Sequence, residues 1–103
     1  MSGNLLDKIY PYSFSPHKGE THQAITLGAG VFVPYLPPGA TSILVQTVTQ
    51  NVRYTLDGTT PTAAIGFQLA AAATPILIEI TERVNLKFIR EASGAVLQYC
   101  VGE

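Results

Sequence analysis

The chain is built from short runs of β-branched and aromatic residues that turn-forming residues interrupt about every ten positions. Runs of this length are typical of β-strands, and their spacing is typical of antiparallel sandwiches and barrels. The best helix-favouring stretch, 69–74, contains four consecutive alanines, but it is short and Pro75 closes it. We therefore predict an all-β chain that forms a small antiparallel β-sandwich, immunoglobulin-like or jelly-roll-like, with 69–74 as a connection.

The positions of the turn-forming residues predict where the strands lie. Gly28-Ala29-Gly30 and Pro37-Pro38-Gly39 predict breaks, and Ser93-Gly94 predicts a β-hairpin between the last two strands. The predicted strands are 24–27, 31–35, 42–49, 52–56, 66–69, 75–80, 85–91 and 95–101.

Residues 1–22 differ from the rest, and we predict that they form an extended N-terminal arm on a sandwich domain of residues 23–103. Residues 4–10 can form a short helical turn that Pro11 ends. The alternation of rings that follows indicates an extended stretch with three aromatic side chains on one face. Such an arm needs a surface to lie against, so we predict an interface formed by Leu5, Leu6, Ile9, Tyr10, Tyr12 and Phe14.

The balance of charge and hydrophobicity excludes several classes of protein. Charged residues are 13% of the chain and hydrophobic residues 47%, with a net charge of −1. A disordered tail needs the opposite balance, and a general nucleic-acid binder needs an excess of positive charge. No uninterrupted apolar run is long enough to cross a membrane, and the first ten residues do not resemble a signal peptide. Low surface charge favours a homo-oligomer, a dimer or trimer.

The sequence offers little for catalysis or metal binding. Its one cysteine, Cys100, lies in an apolar run and is predicted to be a small buried side chain. His17 and His22 lack further ligands at metal-binding spacing, so we interpret them as solvated or interface residues. Ser15, His22 and Asp57 could be written as a triad, but no nucleophile motif supports it. We predict no enzymatic activity, no metal and no cofactor.

The most informative segment is 52–62, Val-Arg-Tyr-Thr-Leu-Asp-Gly-Thr-Thr-Pro-Thr. Physically it is a half-buried strand that enters a tight turn, in which Asp57 accepts a local hydrogen bond, Gly58 supplies a positive φ and Pro61 fixes the exit. The segment resembles a motif of small immunoglobulin-like sandwich domains, including the C-terminal domains of chitobiase-type enzymes. That resemblance implies a structural role for these residues.

A second resemblance spans about 42–101. Segment 52–58, with Thr60-Pro61-Thr62, Gly66-Phe67-Gln68-Leu69 and Lys87-Phe88-Ile89, is similar to small virion proteins of tailed bacteriophages. Such proteins coat or cement capsids, or form parts of head fibres and tails. The resemblance implies a structural protein of the virion, assembled in the cytoplasm of the bacterial host, with the major capsid protein or other virion proteins as partners.

Among these places, the sequence favours a capsid decoration (cement) protein over a tail, baseplate or head-fibre component, because repeats and coiled-coil heptads are absent from the sequence. The competing class is a carbohydrate-binding sandwich module. Against this class, the chain contains no Trp, which is the best residue for stacking on sugars. Tyr35 is the one aromatic residue in a predicted loop that could take this role. The arm could contact its own domain, a sister subunit or the capsid.

Overall fold

A computed structural model describes residues 14–103 of the chain. Seven strands follow one another, and no helix occurs among these residues. The strands are β1 (Gln23–Thr26), β2 (Ser42–Val48), β3 (Val52–Thr55), β4 (Phe67–Leu69), β5 (Ile76–Glu79), β6 (Lys87–Arg90) and β7 (Val96–Gly102).

The strands form two antiparallel sheets, which confirms the all-β prediction and is consistent with a small β-sandwich. The first, sheet A, has the order β1-β7-β2-β5, and the second, sheet B, has the order β4-β3-β6. The two longest strands, β2 and β7, pair along their whole length at the centre of sheet A. β2 alternates between half-buried and buried residues along its whole length, and β7 does so from Val96 to Val101, so each presents one side to the core and the other outward.

The core lies between the two sheets. Sheet A contributes the buried faces of β2 and β7, and sheet B contributes Val52 and Phe88, both completely buried. Tyr99 belongs to the core and Tyr54 packs against it, and burial raises the pKa of both hydroxyls above the usual range. The core side chains are Leu27, Ile43, Val45, Val52, Leu69, Ile78, Leu86, Phe88, Ala95, Leu97, Tyr99 and Val101.

The predicted strand 31–35 is not a strand in the structure. Phe32 alone pairs with Phe88 of β6, through two backbone hydrogen bonds of 2.8 and 2.9 Å. Pro34 has no N–H to extend the ladder, and the Gly28-Ala29-Gly30 break separates the segment from β1. The segment therefore crosses the edge of sheet B with a single point of pairing.

The predicted β-hairpin at Ser93-Gly94 is wrong. The turn is present and Gly94 has φ +94°, but β6 belongs to sheet B and β7 to sheet A, so the two strands do not pair. The chain uses this turn to pass from one sheet to the other. By contrast, the predicted connection 69–74 is a connection except for Leu69, which ends β4, and the Ala73 N–H closes a turn on the Ala70 carbonyl. No helix long and apolar enough to span a membrane is found in residues 14–103.

Candidate interaction surfaces

An apolar stripe lies at the β6 edge of sheet B. Phe32 faces inward, where its ring lies 6.2 Å from that of Tyr99. The odd-numbered residues of this segment, Val31, Val33 and Tyr35, are 39%, 57% and 66% exposed. Alternation along an extended chain sends these three side chains to one side. We call Val31, Val33 and Tyr35 the edge stripe.

An open groove of about 520 Å³ lies at the opposite edge of sheet B, where β4 is the last strand. Its walls include the ring of Phe67, which is 64% exposed, and the ring of Tyr54, whose centroid lies 5.6 Å away. Ile65, also exposed, continues the apolar wall, and Asp57 provides a carboxylate at the rim. The groove therefore combines an exposed aromatic face with one acidic acceptor.

The turn after β3 holds this rim in place. The Asp57 carboxylate accepts a 3.0 Å hydrogen bond from the Thr59 N–H. Hydrogen bonding to the Thr59 side chain first, and then to the Thr59 N–H, lowers the pKa of Asp57 below its usual range. Gly58 has φ +86°, and its N–H donates to the Asn85 carbonyl. Pro61 is fully buried beneath the turn. All three residues predicted as turn-formers thus lie in one compact loop that closes an end of sheet B.

The outer face of sheet B carries an ion pair. Arg53 on β3 donates to Glu91 across 2.9 Å, and Gln68 on β4 donates to the same oxygen across 2.7 Å. The Gln68 bond first, and then Arg53, hold the pKa of Glu91 below its usual range. Arg53 also donates to the Gly66 carbonyl. The network ties β4 and the chain just after β6 to the central strand.

Both histidines make hydrogen bonds to distant parts of the chain. The Nδ1 atom of His17 accepts a hydrogen bond from the Gly19 N–H, and its Nε2 atom lies 3.0 Å from the Pro38 carbonyl oxygen. His22 Nε2 lies 2.9 Å from Gln98 Oε1. Among residues 14–103 no three His, Cys, Asp or Glu side chains come together as a metal site.

Of the predicted arm residues, Leu5, Leu6, Ile9, Tyr10 and Tyr12 lie outside the described residues. Phe14 is half-buried against its own chain. The segment that follows it pairs with the end of β7: Pro16 bridges to Gly102, and the Glu103 N–H donates to the Ser15 carbonyl. Residues 15–17 therefore extend sheet A.

The prediction that Cys100 is buried is wrong. Leu97, Tyr99 and Val101 occupy the inward positions of β7, so Cys100 faces outward and is half-buried. The outward position of Cys100 could have been predicted from the alternation of side chains along 96–101, in which Leu97, Tyr99 and Val101 share one side of the strand. The exposure of Phe67 and Ile65 had no such signal, because it depends on β4 being a three-residue edge strand.

Comparison with known proteins gives no match: no protein family, no curated protein and no solved structure is found to be similar to this chain.

Proposed function

We propose that this protein is a non-enzymatic structural component of a bacteriophage virion, a capsid decoration protein that docks through the edge stripe. The observation that carries the proposal is the exposure of Val31, Val33 and Tyr35 on one extended segment. Apolar side chains grouped at one sheet edge are a typical docking surface. The resemblance of segments 52–62, 66–69 and 87–89 to small phage virion proteins supplies the virion setting.

We further propose that the chain acts as a homo-oligomer, a dimer or trimer. Two apolar surfaces at opposite edges of sheet B, the edge stripe and the Ile65–Phe67 wall, support this proposal. Opposite edges suit a heterologous contact, in which the stripe of one copy meets the groove of the next and rotation closes a ring. Sedimentation equilibrium tests it: Val33→Asp is expected to give monomers where the unaltered chain gives dimers or trimers.

The finer fold proposal is an immunoglobulin-like sandwich. Seven strands in sheets of four and three agree with the constant-type immunoglobulin arrangement. The order differs at two places: β7 lies between β1 and β2 instead of in the three-stranded sheet, and β4 pairs with β3 in the three-stranded sheet instead of with β5 in the four-stranded one. A jelly roll typically uses eight strands, which favours the immunoglobulin-like form.

The location is tested on purified particles of a phage that encodes the chain. Particles lacking the protein are mixed with recombinant chain, and bound protein is quantified on isolated heads and isolated tails. Binding to heads is expected, and Val33→Asp is expected to weaken it by about tenfold or more, equivalent to at least about 1.4 kcal/mol. Ser93→Asp, an exposed change in the β6–β7 turn, is the matched control and should bind normally.

Each other outcome has a meaning. Binding to tails alone would support the tail, baseplate or head-fibre alternative and overturn decoration. Absence of the chain from purified virions, with no binding to either fraction, would overturn the virion assignment as a whole.

A carbohydrate-binding module is the second candidate, and the groove beside β4 favours it. An exposed ring such as Phe67 can stack on a sugar, and the Asp57 carboxylate, kept ionised by its hydrogen bond, can accept from sugar hydroxyls. A glycan array with the unaltered chain, Phe67→Ala and Tyr35→Ala tests this. Binding that Phe67→Ala abolishes and Tyr35→Ala preserves would establish the module, whereas no bound glycan would dismiss it.

A further inference from the structure

The outer face of sheet A is uncharged over its two central strands. Outward positions of β2 and β7 carry only small, apolar or amide side chains, all half-buried or buried. In register across the sheet, Leu44 lies between Cys100 of β7 and Leu77 of β5. The eight outward residues of the central strands are Ser42, Leu44, Gln46, Val48, Val96, Gln98, Cys100 and Gly102.

One end of this face is already covered by the segment that precedes β1. Gly102 occupies an outward position of β7, and yet it is buried. A β-carbon on Gly102 would meet Phe14 Cε1 at 2.7 Å and would also collide with Ser42 Oγ. The absence of a side chain at Gly102 therefore creates the seat for the Phe14 ring on the outer face.

The part of the chain that precedes Phe14 is long enough, and apolar enough, to continue across the face. Thirteen residues precede Phe14, which is about 43 Å when extended. The four strands of sheet A span only about 15 Å from the first to the last, so the extended segment is longer than the sheet is wide. Its apolar residues are those predicted to need a covering surface, among them Leu6, Ile9 and Tyr12.

The covalent link favours the face of the same chain over that of another. A short tether keeps the segment at an effective concentration in the millimolar range, far above the concentration of a second copy in dilute solution. The face also suits the apolar residues of the segment, because burying leucines and tyrosines against β2 and β7 desolvates no charged side chain of these two strands.

We propose that residues 4–12 bind across the outer face of sheet A of their own chain, continuing from the Phe14 seat toward Leu44 and Cys100. This strap would shield the sheet A face and leave the edge stripe of sheet B as the surface for partners. The proposal concerns the isolated chain, so it stands or falls independently of the virion assignment.

Cys100 provides the test, because it is the only cysteine of the chain and lies on the face to be covered. The rate of maleimide labelling is measured on the folded full-length protein, on a variant with Leu6→Ser, Ile9→Ser and Tyr12→Ser, and on Lys8→Ser as the matched control within the strap. The triple variant is expected to label about tenfold faster, equivalent to a docking free energy of at least about 1.4 kcal/mol. Lys8→Ser should label like the unaltered chain. Equal rates for all three proteins would overturn the proposal.

Dilution and cross-linking separate the possible occupants. Protection by the chain's own strap does not change on dilution, whereas protection that is lost on dilution would mean that a second copy supplies the segment. Tyr12→Cys, in an otherwise unaltered chain, is expected to form a disulfide with Cys100 that runs as a monomer on a non-reducing gel. A cross-linked dimer, or no disulfide under mild oxidation, would contradict docking on the same chain, and this holds even if the triple variant fails to fold.

Discussion

Arg53 and Glu91 form a 2.9 Å ion pair that joins the middle strand of sheet B to the end of β6. Their side chains are 24% and 21% exposed, so the pair is partly shielded from water. Gln68 on the edge strand donates to the same Glu91 oxygen. One carboxylate therefore holds three segments together on the outer face of a three-stranded sheet.

Replacing Glu91 is expected to loosen this sheet. In Glu91→Gln the charge is lost, and with it the charge-assisted bonds from Arg53 and Gln68. The expected loss of unfolding free energy is about 0.5–1 kcal/mol, in the upper range for partly exposed pairs. Urea denaturation followed by circular dichroism measures it. Glu82→Gln, in an exposed turn, is the matched control, and an equal loss in both variants would contradict the role of the network.

Stability is expected to fall on acidification. The pKa values of Asp57 and Glu91 both lie below their usual range in the folded protein, because hydrogen bonds favour the charged forms. The unfolded chain then binds more protons than the folded one as the pH falls, so their stabilisation is complete above about pH 5 and is lost progressively below it. Urea midpoints between pH 7 and pH 3 check this. Glu91→Gln should flatten the pH dependence, and a slope as steep as that of the unaltered chain would contradict the assignment.

Three glycines are expected to differ in their tolerance of alanine. Gly66 has φ +123°, and a β-carbon there would lie 2.9 Å from the Tyr54 carbonyl oxygen, a backbone atom that cannot easily move. Gly58 has φ +86°, but its closest neighbour is the Asn85 side-chain amide, which can yield. Gly28 has open space around it and no positive φ.

The expected order of destabilisation by alanine is therefore Gly66, then Gly58, then Gly28. The losses are about 3, 1–2 and less than 0.5 kcal/mol, from backbone strain and steric conflict at the first two positions. Thermal unfolding of the three variants measures them. If Gly28→Ala were as damaging as Gly66→Ala, the local geometry described for these turns would be refuted.

The all-β architecture could be predicted because its signals are local. Runs such as Ser42–Val48 are rich in β-branched residues and alternate in burial, and turn residues mark their ends. The choice of partner for each strand is not local. Ser93-Gly94 favours a tight turn in either case, and only packing of the last strand between β1 and β2 decides that it leads from one sheet to the other.

The candidate surfaces were harder to predict for the same reason. Val31, Val33 and Tyr35 resemble a core strand in sequence, and their exposure follows from Pro34 limiting the segment to one pairing with Phe88. Phe67 is also apolar and in a strand, yet it is exposed because β4 is short and lies at an edge. Hydrophobicity indicates that a residue needs a contact, and topology decides whether its own domain provides it.

Phe88 and Phe67 provide a direct comparison of these two situations. Phe88 is completely buried between the sheets, whereas Phe67 is 64% exposed beside the groove. Phe88→Ala leaves a cavity that the core cannot refill, with an expected loss of about 3–5 kcal/mol, enough to unfold much of a small domain. Phe67→Ala removes mainly the contact with Tyr54, with an expected loss of about 0.5–1 kcal/mol. Urea denaturation measures both, and sedimentation velocity then shows whether Phe67→Ala, while still folded, changes self-association. A large loss of stability in Phe67→Ala would mean that its ring belongs to the core, and the groove would then be no candidate for binding another molecule.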